Sequence, residues 1–319
     1  MSINYSIFFI LLLLLGCNGN EVNNVKTELH KCDSNDEGIK GALLASRINS
    51  LEELKSMIQI EYFAGSSPSE AGNKNNTMVL LHHCSGGINI NSILKAGISQ
   101  TDIIKARDGD LMDRFNLVLN SPYSIAHRSE LKNIYRLSRR RHDLYGFGDI
   151  AFYDLAKSAE RKINSKEIAY KTYRDSSAKG YINSFNHITA QAIITSCFSE
   201  KIADFIADLH ELYNMPELIS GQFTESQLTE LDDNPVDNYV DMINNEWGQE
   251  IGKKLKIKYS INQKTIWTPT LLANYLNDIQ TYYTWAFQIS MNPFKKNEEV
   301  IIKFCKKMNV LLNPKNHFN

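Results

Sequence analysis

The chain has 319 residues, 43% of them apolar and 22% charged, with a formal net charge of −1. Such a chain is long enough for one large folded domain or two ordinary ones, and its composition excludes a disordered or low-complexity protein. With almost no net charge, no overall field draws it to nucleic acid or to an anionic membrane surface, and no nucleic-acid partner is expected.

The first predicted element is the unbroken apolar run Ile7–Leu15, nine residues followed by Gly16 and Cys17. A bilayer core of roughly 30 Å needs a longer helix. The run has the length of a signal-peptide core, with a small residue where a peptidase would cut. Residues 18–48 are rich in Asn, Asp, Glu, Lys and Gly and predict a flexible tether. Ser50 with Glu53 has the form of a capping box, and Leu51, Leu54, Met57 and Ile58 continue as a helical stripe. Gly, Ser, Pro and Asn over 65–76 predict a loop. Met78–Leu81 is the strongest short strand, ended by Gly86-Gly87, so a small β hairpin is expected near 78–90.

From Asn91 onward the pattern is helical. Asn91 is placed as the cap of a short helix stopping at Gly97, and Thr101 as the cap of the next. Pro122 precedes a long helix over about 124–143, and Gly146-Phe147-Gly148 punctuates it. Further helices are expected at about 149–162, 181–198, 199–214, 225–232, 235–256, 269–290 and 297–311, with Ser199 as an N-cap and Pro235 and Pro269 near first helical positions. The expected fold is mainly α, a multi-helix bundle-like domain with at most a small β hairpin. Its organisation is a signal peptide (1–17), a tether (18–48), a mostly helical N-terminal region (49–145) and a helical domain (146–319).

Besides Cys17 the chain has Cys32, Cys84, Cys197 and Cys305. Three pairings are open to four cysteines. Cys197, in an apolar helical run, is expected to be a buried free thiol, and Cys32–Cys84 is the favoured bridge. The order Leu14-Leu15-Gly16-Cys17 resembles the lipobox of bacterial lipoproteins. That resemblance implies acylation of Cys17, a lipid-anchored position at the cell envelope, and the bilayer as a partner. No Lys or Arg precedes the run, a departure from the usual pattern.

Three helices carry polar faces. Over 235–256, Asp241, Asn244, Asn245 and Gly248 recur at i, i+3, i+4 and i+7 and share a side. Asp and Asn are poor helix formers, and Gly costs about 1 kcal/mol relative to Ala, so this face is expected to turn inward against a close neighbour. Over 199–214, Asp204, Asp208 and Glu211 share a face beside His210. Over 181–198, Asn183, His187 and Gln191 repeat at i+4. Bundle sites are built from facing helices in this manner. His82-His83-Cys84 lacks a partner pair at zinc spacing and is expected to be a strand end. Arg136, Arg139, Arg140 and Arg141 fit a helix C-terminus, and Tyr275, Tyr282, Tyr283, Trp285 and Phe287 fit a core helix.

The succession Asn183-x-Phe185-Asn186-His187, Asp208-Leu209-His210-Glu211 and Asp241-Met242-Ile243-Asn244-Asn245-x-x-Gly248 resembles a bacterial helical domain of unknown function. Its members, many of them exported or toxin-like, carry D-A-x-R-H-x-x-W-x-A, then D-A-H-E, then M-D-x-x-N-N-x-x-G. The likeness spans about 165–256. Asn183 stands where the family has Asp, Asn186 where it has Arg, and Gln191 or a neighbour where it has Trp. The resemblance marks His187, Asp208, His210, Glu211, Asp241, Asn244 and Asn245 without assigning a reaction.

Two functions follow as expectations. In the first, the protein is an envelope or secreted hydrolase. His187 or His210 is its general base, Glu211, Asp208 or Asp241 orients that base or holds a divalent metal, and Asn244, Asn245 and Asp208 contact substrate or scaffold. In the second, it is a non-catalytic envelope lipoprotein that binds a partner protein or a cell-wall component.

Overall fold

A computed structural model of the chain describes residues 41–63, 78–215, 217–220, 223–229, 235–262 and 264–313. The signal segment, Cys17 and Cys32 lie outside the described residues. Cys32–Asn319 forms one compact unit.

The fold is mainly α with one small sheet. Strands β1 (Gln59–Phe63), β2 (Met78–Ser85) and β3 (Ile88–Lys95) pair antiparallel in the order β1-β2-β3. Gly86 (φ 57°) and Gly87 (φ 75°) close a two-residue hairpin whose Ser85↔Ile88 register needs positive φ at both turn positions. Val79, Leu81 and His83 of β2 alternate inward, as do Ile90, Ser92 and Leu94 of β3. Helix α1 (Leu51–Lys55) precedes the sheet; α2 (Gln100–Asp108), α3 (Leu111–Asn120), α4 (Pro122–Ala126), α5 (Arg128–Ser138) and α6 (His142–Tyr145) follow it. Then come α7 (Phe152–Arg161), α8 (Lys166–Ala169), α9 (Tyr181–Cys197), α10 (Glu200–Asn214), α11 (Glu217–Ser220), α12 (Glu225–Thr229), α13 (Val236–Lys258), α14 (Pro269–Phe287) and α15 (Glu299–Leu312).

Two apolar clusters hold these elements. One gathers α7, α9, α14, α15 and the C-terminal half of α13 around Phe185, Tyr275, Tyr283 and Phe304. The other lies between the sheet, residues 43–58 and the N-terminal half of α13, around Leu54, Leu81, Tyr239 and Trp247. Helix α13 therefore belongs to both, which explains why so few of its sides face water. At the far end Lys307 is buried, and its Nζ donates to Asp149 Oδ2 (2.8 Å) and to the carbonyls of Arg139 (2.8 Å) and Ile150 (2.7 Å).

Five expectations change, the smallest being that Ser99 and not Thr101 caps α2. Residues 41–48 are not tether: Ala42, Leu43, Leu44, Ala45 and Ile48 are buried, and only the part of 18–48 before Gly41 remains a candidate, outside the described residues. The Ser50 cap forms, its side chain accepting from Glu53 N, yet α1 ends at Lys55 and Ile58 leads into β1. Asn91 caps no helix. It lies in β3, because the period-2 burial of Ile90, Ser92 and Leu94 outweighs an isolated capping residue. The expected long helix over 124–143 breaks at His127 and after Ser138 into α4, α5 and α6. Arg136 stands in the last turn of α5 as expected, Arg139 is its C-cap, and the rest of the run lies beyond it, where Arg140 pairs with Asp154 and Arg141 with Asp143 (2.7 Å).

Candidate functional site

Helices α9 and α13 run side by side in the same direction, and two glycines set their spacing. A Cβ on Gly248 would lie 2.7 Å from the carbonyl oxygen of Ile188 and from Gln191 Cβ; one on Gly252 would lie 2.6 Å from the carbonyl oxygen of Ala192. Only Gly admits this approach of backbones. Helix α10 returns antiparallel from α9, since Ser199 caps its start by accepting from Ile202 N. Its first turn reaches the far end of α13 through Glu200–Lys253 (2.7 Å), and its last turn reaches Asn245.

The polar faces of these three helices meet. His187 Nδ1 lies 2.9 Å from Asn245 Oδ1, and His187 Nε2 lies 3.2 Å from Asp241 Oδ2. Asn183 Nδ2 donates to both Asp241 oxygens (3.0 and 3.1 Å), and Asn245 Nδ2 donates to Glu211 Oε1 (3.3 Å). With its amide nitrogen on Glu211, Asn245 offers its oxygen to His187, so Nδ1 carries a proton. Its other nitrogen, Nε2, faces the Asp241 carboxyl. The chain Asn183–Asp241–His187–Asn245–Glu211 links three helices through side chains alone.

His210 stands across from His187, with ring centroids 6.1 Å apart, and its Nδ1 lies 3.3 Å from Gln100 Oε1 on α2. His187, His210 and Glu211 each present one ligand atom within 4.8 Å of the others. Glu211 is buried, His187 is half-buried and His210 is exposed, so the trio opens to solvent on the His210 side.

Burial first, and then Asp241, pushes the Glu211 carboxyl up to about 8, against the opposing pull of His187 and Asn245. Asp241 is raised well above its ordinary value by burial and by Asp237 one turn earlier, with the Asn183 amide opposing. Protein packed around the His210 ring, then the neighbouring His187, pulls its basicity down to about 4. At neutral pH His210 is therefore a neutral imidazole, the form that ligates metals. Lys179 and Arg174 pull on Asp237, while Glu211 has only His187 and Asn245 opposing its burial; a divalent ion would add positive charge beside it.

The other expected residues separate from this trio. Asn244 is fully buried and turns to the N-terminal segment: its Oδ1 accepts from Leu43 N (3.0 Å) and its Nδ2 donates to Leu43 O (3.0 Å). Of the two contacts expected for it, substrate or scaffold, the structure has the scaffold one, fastening residues 41–48 to α13. Asp208, also expected at a substrate, makes no hydrogen bond to the His187 chain. It belongs to a carboxylate row with Asp204 and Glu246 against β3; burial, then Asp204 and Glu246, raises it to about 8. Glu246 rises to about 8 through burial and Asp204, with a Ser92 hydrogen bond opposing. Asp237 and Glu246 escaped the sequence reading; their i−4 and i+5 spacing from Asp241 was the available signal.

His82 and His83 belong to β2 as expected. His83 is buried with Nε2 at 2.9 Å from Gly41 O. Cys84 is disulfide-bonded while Cys197 and Cys305 are buried free thiols, so its partner, like the expected Cys32, lies outside the described residues. Among the described residues, a hollow of about 180 Å³ lies away from the trio, lined by Ile88, Trp247, Glu250, Lys254, Tyr282 and Trp285. No helix among the described residues is long and apolar enough to cross a membrane. No family model, no curated protein and no solved structure matches the chain.

Proposed function

We propose that this protein is a lipid-anchored envelope hydrolase whose α9–α10–α13 site holds a divalent metal ion through His187, His210 and Glu211. The observation that carries the reading is the convergence of these three ligand atoms within 4.8 Å, open to solvent at His210 and backed by buried Asn245 and Asp241. Two imidazoles and a carboxylate suit zinc and leave room for water and a substrate oxygen, the ligand set of metal-assisted hydrolysis. Asn245 orients Glu211, and whichever of Asn245 and Asp241 keeps the non-ligating nitrogen of His187 orients that ring, as outer partners of metal ligands do. Ligation by His187 replaces one of its two present hydrogen bonds. The likeness of the Asn183–Gly248 motifs to the exported helical family, and acylation at Cys17, belong to the same proposal.

Zinc titration of the purified full chain, followed by calorimetry, tests it. One ion per chain is expected, with binding lost in His210→Ala. Hydrolytic activity measured on isolated envelope material is expected to vanish in His187→Gln while the fold persists. Activity retained in full by His187→Gln and His210→Ala would remove the hydrolase reading.

One observation favours a second reading, a non-catalytic binding lipoprotein. Both His187 nitrogens are engaged internally, and the 180 Å³ hollow lies elsewhere. Under that reading the polar chain is a structural fastener between helices, and no metal binds.

A further inference from the structure

Helices α13 and α14 each turn a short row of side chains toward one hollow. Trp247, Glu250 and Lys254 recur at i, i+3 and i+7 of α13, and Tyr282 and Trp285 at i and i+3 of α14, so each set shares a helix face. With Ile88 at the start of β3 they line about 180 Å³ of open space. Its wall is aromatic. Ring centroids lie 5.5 Å apart for Trp247 and Tyr282, 5.5 Å for Tyr282 and Trp285, and 6.2 Å for Trp247 and Trp285, with planes inclined at 35°, 45° and 65°. Trp247 is buried, whereas Trp285 stays 37% exposed. That exposed ring is nonetheless held between two backbones. A Cβ on Gly41 (φ 76°) would lie 2.6 Å from its Cζ3, and one on Gly86 (φ 57°) 3.0 Å from its Cζ2. A large ring that is fixed on folding and left partly in water is a preorganised platform, since binding to it costs little further ordering.

The rim is polar and carries both signs of charge. Glu250 Oε1 accepts from Lys253 (2.6 Å), which also binds Glu200 (2.7 Å). Among the described residues Glu250 Oε2, Lys254 Nζ and Trp285 Nε1 are in no hydrogen bond. The hollow therefore offers aromatic faces, one carboxylate acceptor and two N–H donors. We propose that it binds one neutral pyranose ring, an inference that goes beyond the metal reading and does not rest on it. The C–H groups of a sugar ring carry a small positive charge and suit the negative faces of indole and phenol. Its hydroxyls both donate and accept, so they can answer Glu250 on one side and Lys254 and the Trp285 N–H on the other. The three ring planes are inclined to one another, so a flat aromatic ligand can stack on only one of them, whereas a chair presents C–H groups to two. A quaternary ammonium would meet Lys254, and a carboxylate would meet Glu250. An acyl chain would leave the donors and the acceptor without partners. The volume corresponds to about six waters, room for a single ring.

The test titrates the purified full chain with glucose, galactose and N-acetylglucosamine, and with glucuronic acid, choline and indole for comparison. Two of the three tryptophans line the hollow, so tryptophan emission reports occupancy and calorimetry confirms it. At least one neutral sugar is expected to saturate below about 10 mM, with a blue shift in emission. Trp285→Ala should weaken that sugar about tenfold, and Trp285→Phe, which keeps a ring, should recover part of the loss. Trp285 also packs on Gly41, so a rim variant guards against misfolding: Glu250→Ala/Lys254→Ala should bind more weakly at an unchanged Tm. No saturation by any neutral sugar would overturn the proposal. So would tighter binding of glucuronic acid, choline or indole, or full affinity in both Trp285→Ala and the rim variant. The metal reading fails or stands separately, because sugar binding is expected to persist in His210→Ala.

Discussion

Replacing Gly248 by Ala tests whether α9 and α13 meet as closely as the site requires. A new Cβ would lie 2.7 Å from Ile188 O, 2.7 Å from Gln191 Cβ and 3.1 Å from Ile188 Cα. Comfortable contacts are about 3.5–4.0 Å. Ile188 O and Cα are backbone atoms that no rotamer change can clear, so the helices have to part by most of an ångström. Two cross-helix bonds then stretch, His187–Asn245 from 2.9 Å and Asn183–Asp241 from 3.0 Å. Overpacking costs about 1–3 kcal/mol and two lost bonds about 1 kcal/mol each, while removing a helical Gly returns about 1 kcal/mol. The net loss is about 2–4 kcal/mol, or a fall in Tm of roughly 3–8 °C for a body of this size. Urea unfolding measures it as a lower midpoint at unchanged slope. Gly97→Ala is the control, because its nearest atom, Lys95 O, is 3.8 Å away; its change is expected within about 0.5 kcal/mol. A Gly248→Ala protein as stable as the parent would mean that the two helices do not approach as described, and the site built on them would fall with that approach.

Asn244→Ala removes both partners of the Leu43 backbone, so residues 41–48 should detach first. A stability loss of about 2–4 kcal/mol and faster amide exchange over that segment are expected, with zinc binding kept; an unaltered exchange pattern would contradict the scaffold role. Asp208 and Glu246 are both raised to about 8, so the folded state keeps protons that the unfolded chain releases near 4. Their contribution is complete at acid pH and is lost as pH rises through about 8, at up to about 1.4 kcal/mol per pH unit and group. Melting scans from pH 5 to 9 should therefore show falling Tm, with a shallower fall in Glu246→Gln; a rising Tm would refute the burial of this row. Cys17→Ser should release the protein from membrane pellets or block its maturation, and fractionation like the parent would count against acylation.

The helices from 149 onward were legible because period and punctuation agreed. Ser199 and Pro269 stand where α10 and α14 begin, and Gly or Pro rarely interrupts the stripes. The inward turn of the Asp241–Gly248 face was legible too, since poor helix formers with a Gly signal a close neighbour rather than a solvated side. What stayed hidden was tertiary. Residues 41–48 (Gly-Ala-Leu-Leu-Ala-Ser-Arg-Ile) are mostly apolar but end a stretch, 18–48, that is polar on average, and their placement depends on Asn244, about 200 residues away. The length of β3 beyond residue 90 was hidden because Asn91 resembles a cap until β2 is there to pair with it. The division of labour between adjacent Asn244 and Asn245 could not be read either. A helix turns by about 100° per residue, so one amide faces Leu43 and the other faces His187.

The central claim is that His187, His210 and Glu211 hold one metal ion. X-ray absorption of the zinc-loaded full chain tests it most directly, because imidazole rings give a distinct scattering pattern. Two imidazole nitrogens at about 2.0–2.1 Å and a carboxylate oxygen at about 2.0–2.2 Å are expected, with one imidazole lost in His210→Ala. A chain that takes up no stoichiometric zinc, or a spectrum without imidazole that His210→Ala leaves unchanged, would contradict the account.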